Sequence, residues 1–199
     1  MNQDTRTIPA SLGTIFAGGY YVGQIKSGDQ FYALIMSGAD GELSGRWNAS
    51  DAAVPGAHSL TDGMANTEAL AAAGSKLAQR VRALNINGFD DWYIPSKDEL
   101  ELCYRNAKPS TCRNWVGDGR NESSVPPGAP YTVDNPVQTT VTALQEDEPD
   151  ALIPAWYWSS TQHASYSDHA WGQLFGYGYQ SGYRKSYAGR ARAVRRLPI

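Results

Sequence analysis

The stretch Gly88-Phe89-Asp90-Asp91-Trp92-Tyr93-Ile94-Pro95-Ser96-Lys97-Asp98-Glu99-Leu100 holds the turning point of this chain. Residues 90–95 read as a short extended segment. Ser96-Lys97-Asp98-Glu99 then forms a capping box: the Ser96 hydroxyl accepts from the Glu99 amide, and the Glu99 carboxylate reaches back to the Ser96 amide. A helix follows to about Ala107, with Pro109 as its stop. Upstream, Leu70, Leu77, Val81 and Leu84 share one helical face. That spacing predicts a single helix capped by Asn66 or Thr67, ended by a left-handed Gly88, with Lys76, Gln79, Arg80 and Arg82 facing water.

Strands are expected on both sides of this helical middle. Residues 14–25 and 31–36 are strand-like, and Lys26-Ser27-Gly28-Asp29 joins them as a hairpin. Residues 38–63 are polar and turn-rich, hence loop. Residues 156–160, 170–175, 177–180 and 191–197 return to strand patterns. Residues 110–154, rich in Pro, Gly, Asn and Thr, form an irregular insertion of the kind that serves function or subunit contact. The predicted class is α+β: an N-terminal hairpin, two helices and a C-terminal antiparallel sheet over residues 13–199, preceded by an arm at 1–12 for attachment or subunit contact.

A chain of 199 residues can bury a core without staples. Its net charge of -3 argues against general nucleic-acid binding, which needs a basic surface. Arg184, Lys185, Arg190, Arg192, Arg195 and Arg196 cluster late, and Glu146, Asp147, Glu148 and Asp150 lie upstream; both groups read as solvated patches. No segment is long enough to insert in a membrane, and the opening MNQDTRTIP carries no secretion signal, so synthesis and folding in a cytoplasm are expected. Cys103 and Cys112 fit neither a disulfide framework nor a zinc site. They read as reduced and structural, with a local disulfide as the alternative.

The composition of residues 155–189 points to function. Trp156, Tyr157, Trp158, Tyr166, Trp171, Tyr177, Tyr179, Tyr183 and Tyr187 are interleaved with Ser and Gly. Tyr and Trp offer rigid contact area at little entropic cost, and Ser and Gly offer adaptable polar contacts. Strand packing explains aromatic residues too, but a Tyr brings a polar tip that a plain core does not need. Chemistry is harder to find. Asp90 and Asp91 point to opposite faces of an extended segment and read as turn and solvent residues. Asp98 and Glu99 suit a helix start. His58, His163 and His169 lack metal-site spacing, Cys103 has no evident His partner, and no nucleophile elbow or phosphate loop is present. No catalytic residue, metal or cofactor is expected, and the chain is read as a non-enzyme.

Four pieces in order, Gly88 to Leu100, Tyr157-Trp158-Ser159-Ser160-Thr161, Ala170-Trp171 and Arg192-Ala193-Val194-Arg195, carry a resemblance. Over about residues 14–197 the chain resembles the domain of unknown function shared by the C-terminus of collagen-like bacterial adhesins and many phage tail-fibre proteins. The resemblance implies a C-type-lectin-like fold, related to phage tropism determinants and to targets of diversity-generating retroelements, with ligand displayed on the C-terminal sheet. Carried onto this chain, the face is residues 162–187. Its candidate ligand-binding residues are Tyr166, Asp168, His169, Tyr177, Tyr179, Tyr183, Arg184 and Tyr187, with Lys185 as a further polar contact and Trp171 half-buried. Trp92 and Trp158 would be core, and Arg195 would lie in the closing strand. The calcium-dependent lectin pattern is absent, Asp134-Asn135-Pro136 is not its equivalent, and the site of the related formylglycine-generating enzyme is not matched.

The expected role is a phage or prophage receptor-binding protein at a tail tip or fibre. It would form a homotrimer, join other tail or fibre proteins through its arm, and bind a host surface glycan, pilus or outer-membrane protein. A structural decoration or baseplate protein is the alternative, as is a bacterial diversified ligand-binding protein. A hydrolase of surface polysaccharide is the reading that the residues support least.

Overall fold

The computed structural model describes residues 7–199. The proposed arm at 1–12 therefore falls partly outside the described residues. Ten strands and three helices follow in the order β1 (Ile15–Phe16), β2 (Gly19–Ser27), β3 (Gln30–Met36), β4 (Glu42–Arg46), α1 (Gly63–Ala72), α2 (Lys76–Arg82), α3 (Lys97–Ala107), β5 (Ser124–Val125), β6 (Trp156–Gln162), β7 (His169–Leu174), β8 (Gln180–Arg184), β9 (Ala188–Arg192) and β10 (Val194–Pro198). They build two sheets. One runs β1-β2-β3-β10 with β5 against β2, and the other runs β4-β9-β6-β7-β8. The class is α+β, as expected.

The hairpin of β2 and β3 and the helix α3 form where the sequence places them. The capping box of α3 is complete, with Ser96 accepting from the Glu99 amide and Glu99 accepting from the Ser96 amide at 2.7 Å. The segment before it is pinned to β10 by a reciprocal pair of backbone bonds between Tyr93 and Val194, 2.9 Å each. Glu99 does more than cap. It is fully buried, and it also takes the Tyr93 hydroxyl and the Gly63 amide.

The single helix expected before Gly88 is two helices. Gly74 sits at φ +90, its amide returns to Ala71 and the Ser75 amide returns to Leu70, which is a Schellman stop. Ser75 then caps α2 by accepting from Ala78. The apolar spacing survives the break because both helices lay the same side on one core, so periodicity alone could not reveal it. Asp62 caps α1, and the expected caps Asn66 and Thr67 lie buried inside it, bonded to Ser59 and Gly63. Asn87 and Gly88 instead form a tight turn with both φ positive, closed by paired Ile86 and Phe89 bonds.

The C-terminal sheet also departs from expectation. The loop at 38–63 contains β4, an edge strand, polar enough to read as loop. The expected strand at 177–180 is a turn, with β8 beginning at Gln180. The predicted closing strand splits at Ala193. Its first half, β9, pairs antiparallel with β4 and parallel with β6, so the sheet is mixed; its second half, β10, crosses to the other sheet and pairs with β3. Arg195 lies in this last strand, as expected.

Two apolar clusters fill the interior. One gathers Trp47, Leu77, Val81, Trp92 and Trp158 beneath α1 and α2. The other gathers Ile25, Leu34, Tyr93, Tyr104, Tyr157 and Phe175 around α3. Arg184 is exposed as expected, but the last three arginines are not part of a solvated patch. Arg192, 2 % exposed, binds Glu42, Arg195 forks onto Asp91, and Arg196 meets Asp62. Asp91 is accordingly an ion-pair partner of a buried guanidinium and not a free surface residue. Burial works to raise the Glu42 pKa, but hydrogen bonding and charge from Arg192 outweigh it, and the carboxyl lies below its ordinary value.

Candidate functional site

Most interior tyrosines use their hydroxyls inside the fold; Tyr21, buried but without a hydroxyl partner, is the exception. Tyr20, Tyr93, Tyr104, Tyr131 and Tyr157 each donate inward, to Asp150, Glu99, Asn114, Glu101 and Glu42. The indoles of Trp47, Trp92 and Trp158 likewise donate to the carbonyls of Ser159, Phe89 and Gly45. Among the described residues the polar tips of Tyr177, Tyr179, Tyr183, Tyr187, Trp115 and Trp156 have no such partner, and none of them is buried unsatisfied. A polar tip that the fold does not use internally meets water or a ligand.

These free rings form one row across the second sheet. Trp115 lies 6.1 Å from Tyr177 and 5.0 Å, edge-on, from Tyr179. Tyr179 meets Trp156 at 6.0 Å, Trp156 stacks on Tyr183 at 4.9 Å, and Tyr183 meets Tyr187 at 5.3 Å. Neighbouring rings in these geometries hold one another in place. Trp115, Tyr177 and Tyr187 are 51 %, 38 % and 50 % exposed, whereas Tyr183 is half-buried against Trp158. At one end of the row an open cleft of about 490 Å³ is lined by Cys112, Arg113, Trp115, Pro154, Leu174 and Tyr177, among others.

Trp115 reaches the row from the irregular 110–154 segment. Its amide donates to the Tyr177 carbonyl at 2.7 Å, Asp118 accepts from the Gln180 amide at 2.7 Å, and the Gly119 amide meets the Gln180 side chain at 3.2 Å. The insertion is thus stitched along the turn and the start of the outer strand β8. Sequence reading missed Trp115 because nothing local marks it. It also left out Trp156, a strand residue whose outward direction depends on register.

The remaining candidates stand elsewhere. In the β7–β8 pair, Tyr183 opposes Ala170 and Ser181 opposes Gly172, while Gly182 opposes Trp171 and Arg184 opposes His169. Directly opposed residues share a face and successive ones alternate. Tyr166, Asp168, His169 and Arg184 therefore do not join the row. They lie with His163 and Trp171 on the reverse side of the hairpin, where His163 stacks on Trp171 at 5.1 Å and Tyr166 at 60 % is the most exposed ring. A shallow cleft of about 340 Å³ sits there between His163, Tyr166, His169, Ser181 and Gly182. His169 Nδ1 bonds Asp168 at 2.7 Å, and that bond lowers the Asp168 pKa. The expected single face is two patches back to back.

Lys185 is a correction. It is fully buried beneath the second sheet, donates to Ala52 O at 2.9 Å and Gln162 Oε1 at 2.7 Å, and sits 4.8 Å from the Trp47 ring centre. It cannot touch a ligand. Desolvation pulls its pKa down to about 8 from 10.5. Below pH 8 folded and unfolded chains both hold the proton. Between 8 and 10.5 the folded chain releases it first, so stability should rise with pH across that window. A pH series of urea midpoints should show this rise, and Lys185→Met should flatten it.

Among the described residues no three His, Cys, Asp or Glu side chains converge as metal ligands would, and no helix is long and apolar enough to cross a membrane. Cys103 is buried and Cys112 exposed, both free. A comparison with curated proteins finds no match. The family model of the Lcl C-terminal domain matches residues 40–195, which contain all four sequence pieces that carried the resemblance. That match covers well over half of the sequence, and the chain belongs to the Lcl C-terminal domain family.

Proposed function

We propose that this chain is a phage or prophage tail-fibre or tail-tip protein that attaches the virion to a host surface through its aromatic row. The reading is of a binding module, not an enzyme. It rests above all on the division between rings whose polar tips are used internally and rings whose tips are free, because an aromatic row built only for packing would bury or bond those tips. Membership of the Lcl C-terminal domain family supports an adhesin-like role. A C-type-lectin-like architecture is part of the proposal, supported by the return of the chain's last strand to the sheet of its first hairpin. Trimeric display would multiply weak contacts into avidity. Light scattering of the purified protein would give the mass of the assembly, expected to be three chains.

Purified protein should bind host cells saturably, and Trp115→Ala with Tyr179→Ala should weaken that binding by about tenfold or more while the far-UV spectrum stays unchanged. Neither ring packs on the core cluster that Tyr183 touches, so their truncation spares the core. Absence of saturable binding by the folded wild-type chain would favour the alternative, a virion decoration whose row packs on another chain.

A further inference from the structure

We infer that the aromatic row takes an uncharged saccharide chain, an inference that rests on the attachment reading and names its ligand class. A pyranose presents a face of C–H bonds with slight positive charge and a rim of hydroxyls. The row presents the complement. Its ring faces carry the negative side of the aromatic quadrupole, and its phenol and indole tips are free to exchange hydrogen bonds. Trp115, Tyr177 and Tyr187 are the exposed rings of the row, and between its two ends Trp156 and Tyr183, stacked on each other at 4.9 Å, and Tyr179 hold the row rigid.

Two other ligand classes fit less well. A polyanion needs a track of cations. At the cleft end of the row stands the Arg113 guanidinium with the Asp118 carboxylate nearby on Gln180, and at the other end Arg46 opposes Ala188 beside Tyr187, two isolated cations and no track. Arg184 faces the reverse side, Lys185 is buried, and Arg190 is engaged by Glu42. A peptide binding by strand addition needs an open sheet edge. Where the row crosses the start of β8, residues 115–119 already occupy that edge through the Trp115, Gly119 and Gln180 amides.

The experiment is a titration of the purified chain followed by tryptophan fluorescence. The probes are hexasaccharides of glucose, galactose, mannose and N-acetylglucosamine, with a heparin hexasaccharide and an extended peptide for comparison. At least one neutral probe should bind saturably, with affinity changed by less than about twofold between low salt and about 0.5 M NaCl. Trp115→Ala should weaken it about tenfold or more, Tyr187→Ala should weaken it measurably, and Arg120→Ala should leave it unchanged. The inference is overturned if no neutral probe binds, if only heparin or the peptide binds, or if Tyr166→Ala removes binding that Trp115→Ala leaves intact. Cells separate its failure from that of the attachment reading. Saturable binding that survives periodate oxidation of the cells but not protease treatment sinks the saccharide and keeps attachment. No cell binding at all sinks attachment itself.

Discussion

Arg192→Ala is expected to lower folding stability by about 3–5 kcal/mol, the range for removing one partner of a buried ion pair. The guanidinium reaches Glu42 at 2.7 and 3.2 Å, and it also donates to the carbonyls of Ser37, Asp150 and Ala151. One side chain thus ties β9 to the chain ahead of β4 and to the end of the insertion. Its loss leaves those carbonyls without their donor and Glu42 half-paired, still holding Arg190 and the Tyr157 hydroxyl. Arg192→Lys keeps the charge without the fork and should fall between wild type and Ala. Urea unfolding followed by tryptophan fluorescence checks both. Arg120→Ala is the control: its pair with Glu122 is solvent-exposed, so the midpoint should move little. Equal shifts for Arg120 and Arg192 would contradict the account.

Gly178→Ala should cost about 2–4 kcal/mol and deform the row without removing a ring. Gly178 holds φ +84, and an added Cβ would stand 2.6 Å from the Tyr104 ring. Tyr104 cannot yield easily, because its hydroxyl is bonded to Asn114 and its ring packs on Tyr131 and Phe175. The turn must shift instead, and Tyr177 and Tyr179 flank it. Thermal melting should show the loss, and cell binding should fall with it. Gly74→Ala separates backbone from contact. Gly74 holds φ +90 with open space around it, so that substitution should cost only about 1–2 kcal/mol and leave binding unchanged.

Much of the fold is legible in local chemistry. Ser96, Glu99 and Pro109 delimit α3, and the Gly28 turn delimits the first hairpin, because each signal is complete within a few residues. The misses share a cause of the opposite kind. The break at Gly74 is hidden by an apolar rhythm that both helices serve, and β4 is recruited to a sheet edge despite a polar sequence. The fates of Arg184 and Lys185, one exposed and one sealed under Trp47, hang on strand register, which no local pattern reports. The same holds for the site. Its tyrosines announce themselves by composition, but their division between two faces follows pairing in β7 and β8, and Trp115 arrives from about sixty residues upstream, held by its backbone bond to Tyr177 and by the bonds of Asp118 and Gly119 to Gln180.

The crossing of the chain at Ala193 has a consequence for biosynthesis. Among the described residues β9 is the only link between β4 and β6, and β10 seals the open flank of β3. While a ribosome is still translating codons upstream of residue 188, each half-built sheet displays an unpaired margin to its surroundings. Completion of both sheets waits for β9 and β10 to emerge. A chain cut before residue 188 would be sticky, and chaperone demand should fall once residues 188–198 have paired.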